Sequence, residues 1–228
     1  GAITNNGSVQ FNQSTNGTYS GVISGTGGVE LAGTGQVTFS GMNTYSGGTT
    51  IDSNAILIGT TNSLQGPIVN NWLLQFNQGT AGTYAGGISG TGGVEFSGGG
   101  PITLSGANTY AGGSLVDAGT TLIGTTTSLH GPIIANGSVH FSQASAGTYA
   151  GALSGTGGVE IAGTGAVSFT GLNSYSGGTT VDAGSTLIGT TDSVQGAITN
   201  NGSVQISAGT FGSLYSSPMS GTGHLQVS

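Results

Sequence analysis

Gly1-Ala2-Ile3-Thr4-Asn5-Asn6-Gly7-Ser8-Val9-Gln10 returns as Gly66-Pro67-Ile68-Val69-Asn70-Asn71-Trp72-Leu73-Leu74-Gln75. It returns again from Gly131 to His140, and almost verbatim from Gly196 to Gln205. From Gly1 to Gly66, Gly131 and Gly196 the numbering advances by 65 each time, with no gap over the first three copies. Other positions keep the same step: Tyr19, Tyr84 and Tyr149; Glu30, Glu95 and Glu160; Asn43, Asn108 and Asn173; Tyr45, Tyr110 and Tyr175; Asp52, Asp117 and Asp182. A fixed period of this size marks a repeat architecture. It divides a single rod over 1–228 into copies 1–65, 66–130 and 131–195 and a partial, diverged copy 196–228. In the last, Ser220-Gly221-Thr222-Gly223 falls one residue late relative to Ser24-Gly25-Thr26-Gly27.

Within a copy, apolar residues alternate in short runs: Val9 and Phe11, Val29 and Leu31, Val37 and Phe39. Period two over about five residues is a strand pattern. Between the runs stand Asn-Asn-Gly, Asn-Gly-Thr, Gly-Thr-Gly-Gly and Ser-Gly-Gly, turn signals because Gly and Asn tolerate positive φ. Each copy holds seven or eight such strands, too many for one turn of a solenoid. With three strands to a coil, three coils per copy are expected, roughly 22 residues each, in a rod of about ten coils and roughly 50 Å. The expected fold is therefore all-β, a parallel β-helix. Matching residues of successive copies would then stack three coils, ~14 Å, apart. Glu30, Glu95 and Glu160 would form one widely spaced column.

Composition narrows the function. The 228 residues include 49 glycines, no Lys or Arg, no Cys, three His and seven acidic residues, for a net charge of −7. A nucleic-acid backbone finds no cation to pair with, so no nucleic-acid partner is expected. An anionic membrane surface is equally unattractive, no apolar run reaches the ~18 residues of a membrane helix, and no direct membrane insertion is expected. The opening Gly-Ala-Ile-Thr-Asn is not a signal peptide. Schiff-base, P-loop-lysine and thiolate chemistries are excluded outright. With 34% hydrophobic residues and low charge per residue, the disorder signature is not met.

Leu104-Ser105-Gly106-Ala107-Asn108-Thr109-Tyr110-Ala111-Gly112-Gly113 and Gly171-Leu172-Asn173-Ser174-Tyr175-Ser176-Gly177-Gly178-Thr179-Thr180 resemble the autotransporter-associated β-strand repeat. Gly119-Thr120-Thr121-Leu122-Ile123-Gly124 and Ser24-Gly25-Thr26-Gly27-Gly28 fit the same family. The resemblance implies a right-handed parallel β-helix from the passenger region of a Gram-negative type V secreted protein. It also implies exposure at the cell surface and a part in adhesion or biofilm. Two departures stand out. Family members usually carry a lysine in the stretch that reads here Gly27-Gly28-Val29-Glu30-Leu31-Ala32-Gly33, and these residues include no translocator barrel. The expected context is an excised passenger segment or a subunit that stacks end to end into a surface fibre. Glycans or proteins of host or bacterial surfaces are the expected partners.

The alternative function is a carbohydrate-active β-helix enzyme, a polysaccharide hydrolase or lyase. Glu30 and Asp52, like Glu95 and Asp117, are separated by 22 in the numbering and would face each other one coil away, as paired carboxylates for glycoside hydrolysis must. The pair recurs in every copy, whereas an active site is built once, so a solvated surface is the better reading. His130 stands where another copy has Gln65 and His140 where another has Gln10; with His224 they share no repeat phase, and no metal is expected. Tyr19, Tyr45 and their repeats are expected to pack over glycines at corners rather than to stack sugars. Adjacent threonines such as Thr49-Thr50 point to opposite faces, which argues against an ice-binding array. Trp72 replaces the glycine of other copies and fits either a surface substitution or a contact residue. No catalytic residue and no cofactor are expected.

Overall fold

The computed structural model describes residues 1–210 and 215–228. It is an all-parallel β-solenoid of about eleven turns. The first copy supplies β1 (Ile3–Thr4), β2 (Ser8–Phe11), β3 (Gly17–Tyr19), β4 (Ile23–Ser24), β5 (Gly28–Leu31), β6 (Gln36–Phe39), β7 (Thr49–Ile51) and β8 (Ile56–Gly59). Their partners lie one coil away in sequence. Ser8 faces Gly28, Val29 faces Thr49 and Gly17 faces Val37, each a step of 20 in the numbering, while Thr49 faces Ile68 at a step of 19. Each coil has three sides. β1 and β4 lie on a first face, β2, β5 and β7 on a second, and β3, β6 and β8 on a third.

Each copy makes about three coils, as the sequence indicates, but not a whole number of them. Each of the first three copies carries eight strands, as the alternating runs indicate. Two further sides, around Asn43 and Ser63, carry no strand and no alternation. They nevertheless occupy places on the first face, so a copy has ten sides rather than nine. Ten sides on a three-sided coil are three coils and one side over. Leu73–Asn77, the counterpart of β2, therefore pairs with β8 on the third face. The next counterpart, Ser138–Ser142, continues the sheet that begins at Gly82–Tyr84 on the first face, and Ser203–Ser207 is back on the second. Between Ser8 and Ser203 the numbering advances by 195 over ten coils, so a mean coil advances it by 19.5 rather than the expected 22. Matching residues of successive copies thus occupy three different faces and form no column.

The irregular sides close through one buried side chain. Asn43 Oδ1 accepts from Ile23 N at 2.8 Å, and its Nδ2 donates to Ser63 O at 2.7 Å. An amide group thereby stands in for the missing strand between the coils below and above. Asn108 does the same between Ile88 N and Ser128 O, and Asn173 between Leu153 N and Ser193 O. All three asparagines are buried, where an unpaired backbone group would cost about 1–3 kcal/mol. Among the described residues no buried side-chain nitrogen or oxygen lacks a partner.

Inward residues of the strands form one continuous apolar core that runs from Ile23 to Ile206. Aromatic rings meet coil to coil: Phe76 stacks on Phe96 with centroids 5.7 Å apart, and Phe141 meets Phe169 at 5.3 Å. Such contacts add to the area burial that holds a core together. Coils approach so closely at the corners that a side chain is excluded. A Cβ on Gly157 would stand 1.7 Å from Gly137 O of the preceding coil. The partial copy repeats the sequence slip as a longer step: Ile198 pairs with Met219 and Ser203 with His224, each an advance of 21. Residues 211–214 of that copy lie outside the described residues.

Asn108→Ala removes both bonds of a buried bridge and is expected to destabilise the rod by about 3 kcal/mol, read as a lower urea midpoint by circular dichroism. Asn108→Asp is expected to lose stability too, because a carboxylate cannot donate to Ser128 O. Gly157→Ala is expected to cost about 1–3 kcal/mol through overpacking. Gly7→Ala, with nothing within 4 Å of the new methyl, is expected to stay within about 0.5 kcal/mol of the parent.

Candidate functional surface

The outward positions of the strands carry the polar chemistry. On the second face Gln10 Nε2 donates to Glu30 Oε2 at 3.0 Å, and Thr50 follows on the next coil. On the third face Gln75 Nε2 donates to Glu95 Oε1 at 2.6 Å, and Leu115 follows. On the first face His140 Nε2 lies 3.1 Å from Glu160 Oε2, and Thr180 follows. His140 thus takes the place of the glutamine of the other copies, as the sequence indicates, and meets the same carboxylate. Both side chains are partly exposed, so this pair contributes at most about 1 kcal/mol.

The paired-carboxylate geometry does not form. Glu30 has Thr50 as its partner across the coil, and Asp52 lies two residues further along the strand direction, its amide bonded to Leu31 O. The coil advances the numbering by 20 at this point, so a spacing of 22 overshoots it. Asp52, Asp117 and Asp182 instead begin tight turns, with their carbonyls accepting from Ala55, Thr120 and Ser185 at 3.0 Å. The three Glu–Asp sets sit on three faces and converge nowhere. His130 is exposed near Tyr110, with ring centroids 6.4 Å apart, and His224 is exposed at the start of the last described strand. Among the described residues no group of three or more His, Cys, Asp and Glu is positioned to hold a metal ion.

The tyrosines pack inward. Tyr45, Tyr110 and Tyr175 are buried, and their hydroxyls meet Thr49, Ser114 and Thr179 at 2.7 Å. Tyr84 and Tyr149 donate to Gly66 O and Gly131 O at 2.5 Å, and their rings cover Gly86 and Gly151. None of these five offers a face to a sugar ring. Burial pushes all five phenols above their ordinary value, and for Tyr84 and Tyr149 a neighbouring tyrosine adds to the effect. Tyr215 is pushed up to about 12, first by burial and then by Tyr175. Two strand-borne threonine pairs divide as expected: Thr49 and Thr179 are buried, and Thr50 and Thr180 face outward.

Shallow glycine-floored depressions flank the glutamates. One is lined by Ser138, His140, Gly158, Glu160, Gly178 and Thr180. Its counterpart in the second copy, of about 150 Å³, has Leu73, Leu115 and Ile134 in place of small polar side chains. An apolar depression of about 340 Å³ opens at Ile206, Tyr215, Met219, Leu225 and Val227, where the described core ends.

The chain matches the passenger-associated-transport-repeat family over residues 29–58, 97–123 and 162–188. These three segments are equivalent blocks of the repeated copies, and each contains one asparagine bridge. No curated protein and no solved structure matches the chain.

The raised tyrosine values set an alkaline limit. Below about pH 10 the phenols are neutral in both states and contribute no pH dependence. Above it the unfolded chain ionises while the buried phenols stay neutral, so stability falls as pH climbs from 10 toward their folded values. The urea midpoint is expected to drop steadily from pH 10 upward, with tyrosinate absorbance appearing together with loss of the β signal.

Proposed function

We propose, from the premise that this chain is an autotransporter-passenger repeat segment exposed at the cell surface, that residues 1–228 act as one non-enzymatic rod. The rod serves as a stalk and as an adhesive surface. The observation that carries this reading is the solenoid built from matched passenger repeats, whose outward Gln, Glu, Thr and Ser positions are spread over three faces rather than gathered in one cleft. Contacts distributed in this way suit many weak attachments along a surface. No residue is assigned a catalytic, cofactor or metal role. The absence of a converged carboxylate pair leaves the polysaccharide-cleaving alternative without support.

Self-association belongs to the same reading. The rod is proposed to stack end to end, strand edge on strand edge, as repeated parallel windings allow. Surface glycans and proteins are the remaining proposed partners.

Display of the segment ahead of a translocator barrel on Gram-negative cells tests the proposal. Removal by proteinase K is the control for surface exposure, since trypsin finds no Lys or Arg to cut. Displaying cells are expected to aggregate or attach to coated surfaces several-fold more than cells carrying the barrel alone. Equal attachment with a fully exposed rod would overturn the adhesive role.

A further inference from the structure

The second copy departs from its neighbours in one chemical direction. Trp72 stands where the others have Gly7, Gly137 and Gly202. Leu73 stands for Ser8, Ser138 and Ser203, and Leu115 for Thr50 and Thr180. At the end of the first copy, Ile56 stands where later copies have Thr121 and Thr186. Each change puts an apolar side chain on an outward position. Because copies advance one face at a time, changes in the second copy need not meet those in the first. Here they do: Leu73 pairs with Ile56 on one side and Gly93 on the other, Glu95 pairs with Leu115, and Leu115 with Ile134. All lie on the third face.

The result is two shallow glycine-floored depressions that adjoin at Leu73 and Gly93 and together make a groove. Trp72 and Leu73 line one with Asn71 and Thr91, and Leu73, Glu95, Leu115 and Ile134 line the other. Trp72 is 49% exposed and Ile134 50%, and apolar side chains grouped on one surface, unlike single exposed ones, mark interaction sites. At the edge sits Glu95, to which the chain offers no Lys or Arg.

We propose that this groove docks an extended segment of another protein in which arginine or lysine alternates with apolar residues. The apolar side chains fill the space over the glycine floor, the cation meets Glu95, and Trp72 offers its face to a second cation or an aliphatic stem. Charge argues for this occupant over a second copy. A copy of this chain brings no Lys or Arg to Glu95 and carries a net charge of −7 itself. A glycan is less suited to the half around Glu95, where Gln75 Nε2 is committed to Glu95 Oε1 and Ser97 Oγ, Ser114 Oγ meets the Tyr110 hydroxyl, and Leu73, Leu115 and Ile134 are apolar. The proposal deepens the adhesive reading by naming one partner chemistry. Its test uses the isolated rod and is independent of cell attachment.

Trp72 is the sole tryptophan, so its emission, excited at wavelengths where the tyrosines do not absorb, reports on this groove. The probe is a synthetic peptide of about ten residues alternating leucine and arginine. A saturable blue shift is expected, weakened by salt. The doubly substituted Leu73→Ser, Leu115→Thr rod carries the residues its own other copies use and so retains a foldable pattern. It is expected to bind at least about ten-fold more weakly, and Glu95→Gln severalfold more weakly with less salt dependence. The proposal is overturned if the arginine peptide gives no saturable shift, if its glutamate counterpart binds as well, or if the doubly substituted rod binds equally. It is also overturned if a cello-oligosaccharide shifts the emission and the peptide does not.

Discussion

Parallel pairing between successive windings is the constraint from which the rest follows. A residue finds its hydrogen-bond partner about 20 positions on, so each winding must hold three sides in about that length. The sequence period of 65 is not a multiple of the winding. The mismatch is one side per copy, and it rotates each copy onto the next face. A rod with identical copies would therefore present the same surface on all three faces. Point differences between copies break that equivalence locally and place distinct chemistry on distinct sides.

The asparagine bridge lets the mismatch exist without cost in unpaired backbone. A strand could have filled the side around Asn43, but the sequence there is rich in Gly and Ser and lacks alternation. A short amide side chain restores the bond to the winding below and the bond to the winding above. The neighbouring tyrosine fills the core under that side, and its hydroxyl finds a threonine or serine four residues on. The matched family segments coincide with this block.

Much of this was legible in the sequence because it rests on periodicity. The step of 65, the seven or eight alternating runs, the parallel solenoid, the burial of Tyr45 and the packing of Tyr84 over a glycine all follow from pattern and side-chain size. The one side by which each copy exceeds three whole windings did not follow. The sides at Asn43 and Ser63 are held by side-chain bonds and turns, which leave no period-two signal to count. The expected column of Glu30, Glu95 and Glu160 and the facing of Glu30 with Asp52 fell with that count. Trp72 was visible as an outlier, but its companions were not. Ile56, Leu73 and Leu115 become neighbours only once the register is known. His140 was visible as a drifted glutamine, and what it meets, Glu160, follows from the same register.

The most direct test uses the absence of native cysteine. In the rod carrying Glu30→Cys and Thr50→Cys, the two positions are direct partners on adjacent strands, about 4.8 Å apart and within disulfide reach. In the rod carrying Glu30→Cys and Asp52→Cys, the second thiol lies two residues further along, about 8 Å away by strand geometry and beyond that reach. Mild oxidation is predicted to close the first pair and leave the second as free thiols. Closure of the Glu30→Cys, Asp52→Cys pair with the Glu30→Cys, Thr50→Cys pair left open would contradict the winding on which everything above is built.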